Sequence, residues 1–556
     1  MSARERFLTF IRSRLGRRTG YERFREDRFR QRRRLYRTNQ IPGLLSFLTT
    51  VWNTDVKYLQ VLAESVRRQA GGTHFEWLVL DNGSTSRETT DFLASLSAYP
   101  FVRLHRVEEN LGIVGGMRYC LERASGTYIL PLDSDDYIYP DCVNVLTWHI
   151  KHYGFPALLY TDEDKIRDGR HVDPYFKPAW DPVLFVNSCY IAHLCGIDRK
   201  LALELGVYSD EGAEGCHDWD TFTRFMLSGL EPHHVPEVLY SWRIHPQSTA
   251  GNIDSKHYIH NSHEVVLNKF IIAQSVPDLY ALELSPLFNG TPDRWFRRKP
   301  VNARPVFAVL FHSNTGRAET AAVNAGFDAA LPVTAPLGQL KDVATAAAAD
   351  GALVHLRWDK THPDAADWRW EAIGLMELFP DTVMVGGRMI SRDGKMITGG
   401  SYFGFGRGCD SPDHMRAVSD PGYFAQMWKQ HSVSSVSAQH AVVDSRFLLE
   451  FIEEHRHAHV SFPYLGAWLG AYARRRRKRV VYTPFMSATC DADWDDLVSE
   501  EERCALVMLY EDLMPDPLLL SPHLGLTPET AYQAVDSTVR ERQKADLLTR
   551  ARRGKE

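Results

Sequence analysis

Three carboxylates fall within four positions of "TYILPLDSDDYIYPD", residues 127–141: Asp133, Asp135 and Asp136. An apolar run leads straight into them. Carboxylates this close repel, and burying one without a partner is costly. The cluster is therefore either solvated at a turn or built around a cation. A D-x-D at a strand end offers hard oxygen ligands to Mg²⁺ or Mn²⁺ and leaves coordination positions open for phosphate oxygens. A cation so placed stabilises a departing diphosphate as a Lewis acid.

Other stretches carry chemistry of the same kind. "LVLDNGST" (78–85) ends an apolar run at Asp81, which reads as a partner for a nucleotide base or ribose, or as an Asx-turn residue. "NLGIVGG" (110–116) brings backbone close to a phosphate or sugar, or simply packs. In "HDWDTFTRFML" (217–227), Asp218 and Asp220 open an amphipathic helix. They read as acids favoured in a first turn, or one of them reads as a general base. "VLYSWRIHPQST" (238–249) sets Arg243 and His245 two apart, on one side of an extended segment. Arg grips diphosphate, and His completes a metal shell. A haloacid-dehalogenase-type phosphatase also begins at a strand-end D-x-D, but it wants Thr or Val where this chain has Tyr137.

These groups need elements to position them. Strand-like runs at 43–52, 75–85, 101–107 and 127–133 alternate with helical spacing at 57–70, 88–99 and 110–126. That alternation predicts a mostly parallel α/β sheet, and ligands of such sheets bind beyond the carboxyl ends of the strands. Asp81 and the Asp133 cluster both fall there. Residues 286–304 are rich in Pro, Gly and Arg and read as a linker. A second strand–helix series follows, with strands at 305–311, 351–359, 382–390 and 479–488, and a polar, partly helical tail runs over 516–556.

Composition narrows the classes. The 556 residues are 44% hydrophobic and 24% charged with net charge −5, as in a globular protein that does not bind polyanions. Eight cysteines without a CxxC pair argue against a disulfide framework or zinc site and fit a reducing cytosol. No apolar run approaches 18 residues, so neither a membrane span nor a signal peptide is expected. Residues 1–40 hold fourteen Arg against four acids and read as a separable arm. In it, Phe7, Leu8, Ile11 and Leu15 share one helical face flanked by arginines, the pattern of a helix lying on a membrane surface. No base-reading module follows, so nucleic acid is not the expected partner.

Taken in order, "LVLDNGST", "NLGIVGGMRYCLERASGTYILPLDSDD", "HDWD" and "YSWRIHPQS" resemble the family 2 inverting glycosyltransferases of GT-A fold. "LLYTDEDKI" and "DPYFKPAWDPVLFVNSCYIAHL" resemble the bacterial branch that builds O-antigen and other surface polysaccharides. The resemblance covers about residues 42–275 and implies a GT-A catalytic domain over 41–285. It implies that Asp81, Asn110, Gly112, Asp133 and Arg243 hold a nucleotide-sugar donor, and that Asp135 and His245 hold Mn²⁺ or Mg²⁺. Asp218 would be the catalytic base. The implied acceptor is a glycan, free or polyprenyl-diphosphate-linked, at the cytoplasmic face of the inner membrane. Two positions depart from the family pattern: His217 where Glu is usual, and Arg118 where Asn is frequent.

The second series, 305–515, resembles the same family without its acids. "LRWDK" keeps only Asp359, and "HVSFPYLGAWLGAYARRRRKRVVYTP" has no acid where the base should fall. It reads as a degenerate GT-A-like domain for scaffolding, dimerisation or acceptor binding. The rival functions are a non-catalytic assembly scaffold and a sugar-phosphate nucleotidylyltransferase. The scaffold is disfavoured by the intact acids of the first series. The nucleotidylyltransferase lacks its Gly-rich basic loop, because "TTVWNTDVKY" follows the first strand.

Overall fold

The structure, a computed structural model, describes residues 20–38, 40–69, 74–245, 259–287, 294–313, 326–335 and 337–554. The apolar face at residues 7–15 lies outside them. The chain forms two compact units. One comprises the described residues up to 177 with 191–262 and 534–536. The other comprises 178–190, 263–533 and 537 onward.

In the first unit, helix α1 (Gly20–Leu35) precedes strand β1 (Leu45–Val51). Then come α2 (Val56–Arg67), β2 (Phe75–Asn82), α3 (Arg87–Leu96), β3 (Val102–Val107), α4 (Gly112–Arg123) and β4 (Tyr128–Pro131). They continue with β5 (Tyr137–Ile138), α5 (Cys142–His152), β6 (Leu158–Arg167), β7 (Arg170–Tyr175), β8 (Cys195–Asp198), α6 (His217–Leu227) and β9 (His233–Arg243). The sheet order is β3-β2-β1-β4-β8-β6-β9-β5, with β7 paired to β6. Strands β3, β2, β1 and β4 are parallel, β6 and β9 are parallel, and β8 is antiparallel to both neighbours. β1 shows a continuous apolar run rather than alternation because helices cover both faces of a parallel sheet. Only Thr50 of it escapes full burial. Register then places the chemistry: Val51 lies opposite Asp81 and Leu48 opposite Pro131, so Asp81 and the 132–136 loop share one sheet edge.

The basic arm is not separable as a whole. α1 is docked on the first unit by buried charge: the Arg32 guanidinium, 2% exposed, donates to Asp141 at 2.8 and 3.1 Å and to the Val238 carbonyl at 2.9 Å. Arg28 pairs with Glu237, which also accepts from the Tyr36 hydroxyl at 2.7 Å. Arginine runs read as solvated because their partners stand far off in sequence.

The second unit has the hairpin β10 (Tyr280–Leu284) and β11 (Arg294–Arg298), then β12 (Val306–His312), β13 (Ala329–Pro332), α7 (Leu340–Ala349), β14 (Leu353–Trp358) and β15 (Thr361–Pro363). After these come α8 (Trp368–Leu378), β16 (Thr382–Ser391), β17 (Met396–Thr398), the short pair β18 (Tyr402–Phe403) and β19 (Cys409–Asp410), β20 (His431–Val433) and β21 (His440–Asp444). The last elements are α9 (Ser445–Glu454), α10 (Leu465–Arg475), β22 (Arg479–Cys490), α11 (Glu500–Leu509) and α12 (Ser537–Arg553). Its sheet order is β13-β12-β14-β21-β16-β22-β15, with β17 on β16. This repeats the first sheet strand for strand and sense for sense from β2 through β5, lacks a counterpart of β3, and adds β20 antiparallel to β22.

Boundaries read from composition shift accordingly. The supposed linker contains β11, whose Trp295 indole donates to Glu371 at 2.9 Å and whose Arg298 pairs with Glu377 at 2.7 Å. Residues 178–190 belong to the second unit, where Asp181 accepts from the Ser432 amide and hydroxyl, both at 2.7 Å. The polar tail ends in α12, which buries Leu547 and Ala551 in the second core.

Arg32→Ala should destabilise the first unit by about 3–5 kcal/mol, since it leaves Asp141 buried without its partner. Urea unfolding followed by near-UV circular dichroism checks this. Deletion of 1–38 should do the same damage, and deletion of 1–19 should not.

Candidate functional site

The loop after β4 is organised by Asp136. Its fully buried carboxylate accepts from the Tyr240 hydroxyl at 2.6 Å and from the Arg243 amide at 2.7 Å. Burial, with the charges of Asp135 and Asp133, pushes this carboxyl well above the ordinary aspartate range, against the pull of those two hydrogen bonds. Pairing of the two-residue β5 with β9, Tyr137 opposite Ser241, lays the loop against the end of β9. Asp135 thereby meets both residues that follow: its Oδ2 lies 2.7 Å from His245 Nε2, and its carbonyl accepts from Arg243 Nε at 2.7 Å. Arg243 Nη2 is buried and has no hydrogen-bond partner among the described residues. A guanidinium held by its Nε and left open at Nη2 is set to take an anionic oxygen.

Sequence reading missed Tyr58, on α2. Its ring stacks on His245 at 4.8 Å and 28°, and the Arg243 guanidinium lies 5.1 Å from its centroid. The only trace in sequence is an aromatic off the apolar face of Leu59, Leu62 and Val66. His193 was missed as well. Its ring stacks on Tyr240, and its Nε2 lies 3.9 Å from Asp133. The turn carrying it is tied down by buried Lys177, which pairs with Glu163 at 2.9 Å and donates to the carbonyls of Ala192 and His193 at 2.9 and 2.8 Å.

Asp133 is 52% exposed at the side chain. Its carboxyl is held above its ordinary range by loss of water and by Asp135 and Asp218, while His193 and His217 pull it down. The same field places Asp218 within electrostatic reach of Asp133. Asp218 stands in the first turn of α6 with its Oδ1 3.5 Å from His217 Nε2. Asp220 is different: it is 1% exposed and salt-bridged to Arg224 at 2.7 Å, which makes it a part of the helix packing.

The remaining predicted residues form a neighbouring patch at the end of β2. Asp81, 3% exposed, accepts from the Ser84 amide at 2.9 Å, as in an Asx-turn, and pairs with Arg106. Asn110 accepts from Asn82 Nδ2 at 3.1 Å and from the Gly112 amide at 2.9 Å. Gly112 has φ +72°, and a Cβ there would press on the Glu214 carboxylate at 3.2 Å. Glu214, also missed, accepts from the Ile113 and Val114 amides at 2.7 and 3.0 Å and so caps α4.

Asp135 and His245 make a two-ligand set of one carboxylate and one imidazole. Among the described residues no group of three or more His, Cys, Asp or Glu is placed to hold a metal. Two protein ligands fit an Mn²⁺ or Mg²⁺ ion whose other positions are filled by water and phosphate.

Residues 46–206 match the sequence model of Glycosyl transferase family 2. Most of that match falls in the first unit. An uncharacterised protein, y4gI, of Sinorhizobium fredii is 28% identical over 451 residues, covering 74% of this chain and 49% of its own length. O-antigen biosynthesis protein RfbC of Myxococcus xanthus is 25% identical over 210 residues, 37% of this chain and 16% of that protein. The chain thus spans less than half the length of these relatives. The crystal structure of S. aureus TarS 1–349 in complex with UDP-GlcNAc is 18% identical, with TM-score 0.36, covering 41% of this chain and 66% of that one. The match to y4gI, covering 74% of this chain, is too long for the transferase unit alone and runs into the second.

Tyr58→Ala should weaken binding of a nucleoside diphosphate about 5- to 10-fold, roughly the 1 kcal/mol of a ring–guanidinium contact. Tyr58→Phe should leave it unchanged. Isothermal titration calorimetry reads both.

Proposed function

We propose that the first unit is an inverting glycosyltransferase that moves a sugar from a nucleotide-diphosphate sugar to a glycan or lipid-linked glycan in bacterial surface polysaccharide synthesis. One observation carries the reading: the open, buried Nη2 of Arg243 stands beside the Asp135–His245 pair, with Asp218 in the same field. That juxtaposes a diphosphate grip, a two-ligand cation site and a carboxylate. Relatives that include an O-antigen biosynthesis protein support the polysaccharide context.

In this reading Asp218 takes the proton of the acceptor hydroxyl. The acceptor oxygen attacks the anomeric carbon, and the nucleoside diphosphate leaves from the opposite face, its charge met by Arg243. A divalent cation held by Asp135 and His245 supplies Lewis-acid stabilisation of that leaving group. Inversion in one displacement needs one base and no enzyme nucleophile, and Asp220, locked to Arg224, is not available as a second. In the same reading Asp81, Asn110 and Gly112 would hold the nucleoside end of the donor and Asp133 its ribose or the cation.

Asp218→Asn should lower turnover about 10²–10⁴-fold while sparing donor binding. A screen of nucleotide sugars with purified protein, scoring nucleoside diphosphate release with and without Mn²⁺ or Mg²⁺, reads it. Release from no donor, or undiminished release in the variant, would overturn the reading.

The acceptor is proposed to be met at the inner-membrane surface. Among the described residues no helix is long and apolar enough to cross a membrane. Attachment would fall to residues 1–19, where Phe7, Leu8, Ile11 and Leu15 are flanked in sequence by Arg4, Arg6, Arg12, Arg14, Arg17 and Arg18. Full-length protein should float with anionic liposomes at low salt and the 1–19 deletion should not. Equal behaviour of the two rules the arm out as an anchor.

A further inference from the structure

Within the second unit lies a cavity of about 510 Å³, in the range of about 300–1,000 Å³ typical of small-molecule sites. Its place in the topology is specific. Residues 435–438 line it just before β21, the counterpart of β8, and residues 463–467 line it at the start of α10, the counterpart of α6. In the first unit the start of α6 carries Asp218. The cavity therefore occupies the acceptor-side position of a second copy of the same topology.

The catalytic parts are gone from that copy. β4 and β5 are joined by residues 132–136, whereas β14 and β15 are joined by Asp359 and Lys360 alone, so the acidic loop is absent. Asp359 is tied to the end of β12, accepting from the Ser313 amide at 2.9 Å and hydroxyl at 3.1 Å. α10 opens with Leu465, Gly466 and Ala467. A Cβ on Gly466 would lie 2.1 Å from the Val436 carbonyl, so the helix start is pressed onto backbone and carries no acid.

What lines the cavity is chemistry for a sugar. Arg503, 2% exposed, pairs with Asp495 and lies 3.7 Å from Asp410. Arg407 pairs with the same two carboxylates. Alternating forks and carboxylates of this kind donate to and accept from neighbouring hydroxyls. Trp494, partly buried, adds an apolar face. The Tyr464 hydroxyl is buried and has no hydrogen-bond partner among the described residues, although its residue, 6% exposed, lines the cavity under the Arg503 guanidinium. A buried hydroxyl left unpaired costs free energy that a ligand would recover. Charge selects the ligand class: Arg407, Arg503 and Arg550 face Asp410, Asp493, Asp495 and Glu529. With no cationic excess, a nucleoside diphosphate is disfavoured and a neutral saccharide fits.

We propose that the cavity formed at the start of α10 by Arg407, Asp410, Tyr464, Trp494, Asp495 and Arg503 binds a neutral segment of the acceptor glycan. The identification of the glycan as acceptor rests on the transferase reading; the binding itself does not. The test is full-length protein on a printed array of neutral hexose and N-acetylhexosamine oligosaccharides, with and without UDP. Wild type should be retained, UDP should not displace it, and Asp218→Asn should be retained equally. Trp494→Ala should bind at least 10-fold more weakly. Tyr464→Phe should weaken binding about 2- to 10-fold, the worth of one hydrogen bond; it removes a hydroxyl that the fold does not use, so it tests the cavity even if Trp494→Ala fails to fold. No retention, displacement by UDP, or retention indifferent to Tyr464→Phe would overturn the proposal. Retention without turnover of any donor would overturn the transferase reading and leave this one standing.

Discussion

One buried carboxylate holds the candidate site together. Asp136 has no access to solvent and must find its donors inside, and both come from β9: the Tyr240 hydroxyl and the Arg243 amide. Satisfying it forces the loop after β4 against the end of β9, and with that come the Asp135–His245 contact and the Arg243 orientation. The same Tyr240 takes the Asp133 amide at 3.3 Å and stacks under His193, so four parts of the site share one support. A loop of like charges is tolerable because its members have different tasks. Asp136 is structural, Asp135 is paired to His245, and Asp133 stays half in water.

The two units show what such a loop adds to an otherwise equivalent sheet. The strand order and senses agree, yet the second unit joins β14 to β15 by two residues and brings no carboxylate to α10, the counterpart of α6. Its glycines explain the tighter packing: Gly466 and Gly470 stand one turn apart and let α10 approach the backbone of Ser434 and Val436 more closely than any side chain permits. A sheet topology can thus be shared between two units of which one has the acidic loop and the acid at the helix start and the other has neither. Function belongs to the groups at the strand ends, not to the fold that carries them.

Buried charge recurs through the first unit. Asp162, Glu163 and Asp164 sit on one strand and all are buried. Asp162 takes the Lys177 amide and His234, Glu163 takes the Lys177 ammonium, and Asp164 takes the hydroxyls of Tyr21 and Tyr139 at 2.6 Å each. Breaking such pairs is costly because the survivor stays desolvated. The strand therefore ties α1 and the His193 turn to the sheet that also carries Arg243.

Family resemblance joined Asp135 to Arg243 and His245, while the sequence alone determined the strand-and-helix alternation, the strand-end position of Asp81 and of the Asp133 cluster, and the shared side of Arg243 and His245. These follow from period and local order, which act over a few residues. Tertiary structure alone decided that Asp220 is locked to Arg224 while Asp218 stands beside His217. It also decided that Tyr58 supports His245, that Glu214 caps α4, and that residues 178–190 and 294–298 belong to the second unit. It turned the arginine run of α1 into a docking surface, because whether Arg32 is solvated or buried depends on Asp141, 109 positions away. Spacing encodes which face a side chain shares with its near neighbours. Burial of a charge is set by partners that only the folded chain brings within reach.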